Sequence, residues 1–322
     1  MTGSPDARTL VSVPPALRAL LFPEGVGGAR LLDDASGLAA ALPGTEVLVT
    51  SWGAPVLDAA LLDRAPGLRL VAHIGASVKF FVTPELFARG VRVTQAGQAM
   101  ARPVAEVALA FTLALLHRVH RFDHALRGGA EWSAAEQAPP RHELLGCPVG
   151  VVGASRTGRA HIELLRALGA RVRVSDPYYA GEPDVPAVPL DELLATSRIV
   201  ALHAPVLPET RHLIGARELA LMPDGAGLVN TARSWLVDED ALLAELRTGR
   251  IDAAIDVFDA EPLPVGHPFR GLPNVLLTPH QAAGTVEARR RQGEIVLDEI
   301  ARHRAGLPLR HEVTPEALER MG

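Results

Sequence analysis

The segment VGVVGASRTGR, residues 149–159, constrains the fold of this chain more than any other stretch. A short β-branched run leads into a tight turn and then into a polar helix start. Gly153, Ser155 and Gly158 fill the three positions of the G-x-G-x-x-G pattern, with serine at the second. The first glycine permits the sharp turn, the second normally lets the backbone approach a pyrophosphate, and the third lets helix and strand pack closely. The helix that follows offers free N–H groups and a positive dipole end to phosphates. Ser155 is a departure, because its Cβ is expected to crowd the phosphate path and force a small shift of the turn. Asp176 closes the next strand, where a carboxylate accepts hydrogen bonds from both ribose hydroxyls of an adenosine and repels a 2′-phosphate. The pattern therefore predicts NAD, in preference to NADP.

The 322 residues exceed one ordinary compact domain and suit two, and 48% hydrophobic content supplies two cores. Upstream of the glycine turn, strands are predicted at 46–50, 69–73 and 91–94, with a helix starting at 58–62. Pro103 opens a long apolar helix, and 128–140 reads as loop. Downstream, strands are predicted at 149–152, 171–175, 198–203, 227–230, 251–257 and 275–278, separated by helices, with a final helix over 285–304 that could cross back onto the first domain. Such alternation predicts an α/β protein with two Rossmann-like, doubly wound parallel-sheet domains. The substrate domain is expected at 1–102 plus 293–322, and the NAD domain at 103–292, inserted into it. A ligand site in the cleft, with hinge closure excluding water, follows from that arrangement.

Charge and composition exclude several classes. A formal net charge of −5 carries no basic face for nucleic acid. The single Cys147 cannot form an internal disulfide, which suits the cytoplasm. MTGSPDARTL lacks an apolar signal core, and the apolar run at 104–116 contains Glu106 and is too short to span a bilayer. No membrane partner is expected. His117, His120 and His124 share one face of the long helix at spacings of three and four. They read as a polar stripe, so no metal is expected. His203 reads as structural or as a neighbour of the cofactor, and Trp52, Trp132 and Trp235 as packing residues.

Arg233, Glu261 and His280 each follow a predicted strand of the second series, in NTARSWLVDEDAL, DVFDAEP and TPHQAAGT. Ligands of open α/β sheets bind beyond the carboxyl ends of strands, so all three belong to one rim. Together with VGVVGASRTGR, Asp176 and LHAPVLPETRHLI, these segments resemble the D-isomer-specific 2-hydroxyacid dehydrogenase family over nearly the whole chain. The resemblance implies hydride transfer between NAD(H) and C2 of a small 2-oxo or 2-hydroxy acid. It makes Arg233 the ligand of the substrate carboxylate and His280 the general acid and base. Glu261 would be the residue that orients His280 and tunes its proton affinity. A guanidinium fork matches a carboxylate, and imidazole is the usual proton carrier near neutrality. The resemblance also implies cofactor contacts from Arg156 and Thr157 at the pyrophosphate and from Ala204, Thr231, Ala232, Asp256 and Ala283 along the path to the nicotinamide. A homodimer is implied through the region beginning at Pro103.

The substrate loop departs from the family pattern. In HIGASVKFF, Gly75 matches, Ser77 replaces a second glycine, and Lys79 stands where an acidic residue is common. The resemblance assigns the backbone N–H groups of Ala76 and Ser77 to the substrate carboxylate. Met100 occupies a position where the family often has asparagine. Two alternatives stay open: a dehydrogenase for another small acid such as formate or a phosphonate, and an NAD-sensing binding protein of the same fold without turnover.

Overall fold

The structure, a computed structural model, describes residues 6–320. The first five residues of the amino-terminal stretch and the last two of the tail lie outside the described residues. The chain divides into two compact units. Unit 1 is built from the segment ending at Met100 and the segment beginning at Gly284; unit 2 is the intervening Ala101–Ala283.

Unit 1 carries a five-stranded sheet: β1 (Thr9–Ser12), β2 (Arg30–Leu32), β3 (Val47–Thr50), β4 (Leu70–His73) and β5 (Arg92–Gln95), in the order β2-β1-β3-β4-β5. Every pair is parallel. β1, β3 and β4 are buried along their whole length, as expected of parallel strands covered on both faces. Leu10, Leu48, Val71 and Val93 face one apolar layer, while Val11, Val49, Leu70 and Ala72 face the other. The second layer is closed by Val296 and Ile300 of the Val286–Arg304 helix. Thr285 caps that helix, its side chain accepting from the Ala288 N–H at 3.1 Å. Gly293 lets it settle on the Pro15–Leu21 helix, since a Cβ there would lie 1.9 Å from the Leu21 carbonyl oxygen. β1 and β2 carry no strand prediction from sequence; β2 is only three residues long and shows no period of two.

Unit 2 carries a six-stranded parallel sheet: β6 (Pro148–Val152), β7 (Arg171–Ser175), β8 (Ile199–Leu202), β9 (Gly227–Asn230), β10 (Asp252–Ile255) and β11 (Val275–Leu277), in the order β11-β10-β9-β8-β6-β7. All six are predicted strands, with ends shifted by a residue or two. The sheet order reverses between β6 and β8, and in unit 1 between β1 and β3. Those are the two topological switch points, where open α/β sheets place ligands.

The long apolar helix differs from its prediction in three ways. It runs Ala101–Leu116, so Pro103 sits inside the first turn, where the N–H it lacks would have had no intrahelical partner. With the preceding turn, Gly97–Leu116 is long and apolar enough to cross a membrane by length and composition, longer than the run read from sequence. However, Ala105, Ala108, Phe111, Leu115 and Leu116 are buried, four of these five within the core of unit 2. Third, the helix stops before Arg118, whose φ of 56° breaks it, and a new helix occupies Val119–Arg127. His117, His120 and His124 therefore share no continuous helix face. His120 Nε2 instead lies 3.0 Å from the buried Asp252 carboxylate, which also binds Arg118 at 2.7 Å and Arg121 at 2.5 Å. Burial alone would raise the Asp252 pKa, but the hydrogen bonds of His120 and Arg121 and the charges of Arg118 and Arg121 hold it at about 2. The 128–140 stretch, read as loop, contains a short helix at Trp132–Ala135.

Candidate active site

The glycine turn follows β6 and meets the residues after β8 at the unit 2 switch point. Gly153 has φ +94°, and a Cβ on it would lie 2.5 Å from the Ala204 backbone nitrogen. A Cβ on Gly158 would lie 2.1 Å from the Gly153 carbonyl oxygen. Both positions exclude a side chain by collision with backbone. Ser155 has a structural part of its own at the turn. It has extended backbone, with φ −62°, and caps the Arg156–Ala167 helix by accepting from the Gly158 N–H at 3.3 Å. Arg156 and Thr157 form the first turn of that helix.

Asp176 follows β7 and reaches across to the turn. One carboxylate oxygen accepts from the Ala154 N–H and the other from the Tyr178 N–H, each at 2.7 Å. Beneath the turn, His203 Nε2 lies 3.0 Å from His161 Nδ1. Burial pushes His203 down to about 4 and His161 well below its usual value, so the pair is neutral at pH 7. Along the same rim, Asn230 shapes the segment after β9: its Nδ2 donates to the Arg233 carbonyl at 3.0 Å and its Oδ1 accepts from the Ala232 N–H at 3.1 Å. The Thr231 hydroxyl is buried with no partner among the described residues. A cradle that two Cβ atoms would fill, a facing carboxylate and an orphaned buried hydroxyl fit a dinucleotide.

Glu261 and His280 come together although they are nineteen residues apart: His280 Nδ1 and Glu261 Oε2 are 2.7 Å apart. Glu261 Oε1 accepts from the Phe258 N–H at 2.9 Å, which fixes the carboxylate. The His280 side chain is 45% exposed, and Nε2 is the ring nitrogen left for chemistry. The loop that carries it is held from below by Asp256. That buried residue, read from sequence as a cofactor contact, accepts from the Gln281 and Ala282 N–H groups at 3.0 Å and from the Thr278 hydroxyl. These bonds to Asp256 present His280, with φ +53°, at the rim. Arg233 is half-buried and donates to the Ala232 carbonyl at 2.6 Å. Burial lowers its pKa and the charge of Glu261 partly opposes this. Ala283 follows the same loop. Trp235, read as a packing residue, is 37% exposed and ties Arg233's segment to the loop after β8 by donating to the Leu207 carbonyl at 3.0 Å.

In unit 1 the loop of Gly75, Ala76 and Ser77 follows β4. It lies directly on His73, whose Nε2 would be 2.5 Å from a Cβ on Gly75. His73 is buried, its Nδ1 3.0 Å from the Thr50 hydroxyl, and burial pushes it down to about 4. The Ser77 hydroxyl is buried without a partner among the described residues. Lys79 and Met100 are half-buried. Trp52 and Trp132 are exposed rather than packed inside. Among the described residues no cluster of three or more His, Cys, Asp or Glu side chains could hold a metal ion.

Comparison with known proteins identifies a family and relatives. Residues 109–282 match the family described as D-isomer specific 2-hydroxyacid dehydrogenase, NAD binding domain. A glyoxylate reductase of Thermofilum pendens is 35% identical over 248 residues, covering 74% of this chain and 73% of that protein. A D-3-phosphoglycerate dehydrogenase of Mycobacterium leprae is 35% identical over 290 residues, covering 88% of this chain and 53% of that longer protein. The crystal structure of the TT0316 protein of Thermus thermophilus superposes with a TM-score of 0.82 at 31% identity, covering 95% of this chain and 99% of that one.

Proposed function

The chain belongs to the D-isomer specific 2-hydroxyacid dehydrogenase family and is an NAD-dependent oxidoreductase, and from that premise we propose that Arg233, Glu261 and His280 carry the interconversion of a small 2-oxo acid and its 2-hydroxy acid. The observation that carries this reading is the Glu261–His280 pair at 2.7 Å. With Nδ1 committed to a carboxylate, Nε2 is the single position from which the ring can give or take a proton. In reduction His280 Nε2 delivers a proton to the C2 oxygen, and in oxidation it removes that proton. Bound NADH supplies the hydride that C2 receives. Arg233 holds the substrate carboxylate through its guanidinium fork, and the N–H groups of Ala76 and Ser77 bind the same group. Gly153, Ser155, Arg156, Thr157 and Gly158 receive the pyrophosphate, Asp176 the adenosine ribose, and Ala204, Thr231, Ala232, Asp256 and Ala283 line the way to the nicotinamide. The relatives named as glyoxylate reductase and D-3-phosphoglycerate dehydrogenase support small 2-oxo acids as substrates.

The test is NADH oxidation across a panel of 2-oxo acids, including glyoxylate, hydroxypyruvate, pyruvate and branched and aromatic members. His280→Ala should lower kcat by about 10²–10⁴ on the best substrate, the usual span for general acid catalysis, while NADH binding survives. Glu261→Gln should keep part of the activity. Near-wild-type turnover in His280→Ala, with chemistry rate-limiting, would sink the assignment.

The protein is proposed to act as a homodimer. Val119 is 55% exposed, Leu126 47% and Trp132 70%, all within one short stretch of unit 2, and exposed apolar groups concentrated in one region mark an association surface. The buried free thiol of Cys147 supports a cytoplasmic setting.

A further inference from the structure

Trp52 lies just beyond β3, at the β1/β3 switch point of unit 1, and is half exposed. Its ring edge meets His73, the residue on which the Gly75 loop rests, with centroids 6.4 Å apart. Over its face lies the Arg289 guanidinium, 4.8 Å from the ring centroid. Arg289 comes from the second turn of the Val286–Arg304 helix and is held from the next turn by Gln292, whose Oε1 accepts from Nη1 at 3.1 Å. Gln292 is fully buried and cannot swing away.

Arg289 has no carboxylate partner among the described residues, although it is half-buried. This matters because a partly desolvated cation without a counter-charge costs stability unless something else supplies that charge. Burial pushes down the guanidinium pKa of Arg156, Arg233 and Arg289, and none of the three makes an ion pair among the described residues. The first two sit where the dinucleotide phosphates and the substrate carboxylate are read to bind. Stacking on Trp52 compensates Arg289 only in part, since cation–π attraction uses none of the in-plane N–H donors, and among the hydrogen bonds described only Nη1 is engaged, by Gln292.

We propose that Arg289, held on Trp52 by Gln292, is a specificity-determining residue that takes a second negative charge at the far end of the substrate, so that the preferred 2-oxo acid carries a terminal carboxylate or phosphate. This rests on the reading that the adjoining Gly75, Ala76 and Ser77 loop binds the first carboxylate. The neutral edge of Trp52 lines the carbons between the two charges. The in-plane donors that Gln292 does not use suit either anion, and nothing in the donor set separates them.

The test compares paired substrates that differ at the far end: 2-oxoglutarate with 2-oxopentanoate, and 3-phosphohydroxypyruvate with hydroxypyruvate, with glyoxylate as the shortest member. For each protein the reading is the ratio of kcat/KM within a pair, measured by NADH oxidation, so that general damage cancels. The wild type should favour the doubly charged member of at least one pair by about tenfold or more, and the pair that shows it identifies carboxylate or phosphate. Arg289→Gln should reduce that ratio by about tenfold, chiefly through KM, and Arg289→Lys should retain part of it. Wild-type ratios near or below one in both pairs would overturn the proposal, whatever the variants do. An equal loss in the Gln and Lys variants would assign the effect to packing on Trp52 and overturn it too. If glyoxylate and hydroxypyruvate are reduced but neither charged partner is favoured, only this inference fails; if no 2-oxo acid is reduced, the proposed reaction fails and takes the inference with it.

Discussion

One buried side chain should make unit 1 sensitive to acid. His73 ends β4, faces Thr50 across the β3–β4 pairing, and is held down to about 4 by burial. An unfolded chain protonates the same ring near 6.5. Between these two values the unfolded state binds more protons than the folded one, so stability rises with pH. The contribution is fully present above 6.5 and is lost as pH falls towards 4. Each unit of difference is worth about 1.4 kcal/mol, so the whole loss is about 3.5 kcal/mol, and roughly 2.5 kcal/mol of it has gone by pH 4.5. That is a large part of the stability of an ordinary domain. The perturbation is His73→Gln, which keeps a polar group near Thr50 and removes the titration. Urea unfolding at pH 7.5 and 4.5, read by hydrogen exchange of the β4 amides, isolates unit 1 from unit 2. The wild type should lose about 2.5 kcal/mol more than His73→Gln over that interval. Carboxylates and the His161–His203 pair contribute equally to both proteins and cancel. Parallel losses, within about 0.5 kcal/mol, would refute the argument that His73 is buried neutral.

Three further outcomes are expected. Gly158→Ala forces a Cβ to 2.1 Å from the Gly153 carbonyl, so NADH affinity measured by fluorescence titration should fall at least about tenfold; unchanged affinity would mean the helix is not pinned there. NADH should be used well ahead of NADPH, and Asp176→Ala should narrow the gap by removing the charge that repels a 2′-phosphate; a wild type as efficient with NADPH would contradict this role. Replacing Trp132, 70% exposed, by glutamate should shift the protein towards monomer in light scattering at micromolar concentration, whereas a wild type already monomeric would remove the proposed dimer.

The sequence carried the parts of this molecule whose reasons are local. Gly153 and Gly158 are visible because only glycine fits where backbone meets backbone, and Asp176 because it ends a strand at a set distance from them. The Glu261–His280 pair was legible through its motifs, although the hydrogen bond spans a turn and a strand. What escaped depends on distant partners. The helix break at Arg118 has no local breaker; it is stabilised by Asp252, 134 residues away. The histidine stripe was for that reason an artefact of assuming one continuous helix. That Asp256 also braces the His280 loop through the N–H groups of 281 and 282 is a contact that no spacing rule announces. Ser155 looked like a liability because the pattern prefers glycine there, yet serine is among the best helix caps, and its backbone needs no special φ. The stack of Arg289 on Trp52 joins residues at opposite ends of the chain and had no signal at all.

The placement of Gly293 against Leu21 also governs how the chain is made. The apolar layer of Val11, Val49, Leu70 and Ala72 is closed by Val296 and Ile300. These two residues are synthesised only after the whole of Ala101–Ala283. At roughly 5–20 residues per second, a ribosome keeps that layer uncovered for about ten to forty seconds. Unit 2 is a continuous segment and can fold in the meantime, so the last unit to mature should be the one begun first. A nascent chain halted after Ala283 should present a protected six-stranded sheet beside a protease-sensitive amino-terminal third, which makes that third the natural client of a holding chaperone during translation.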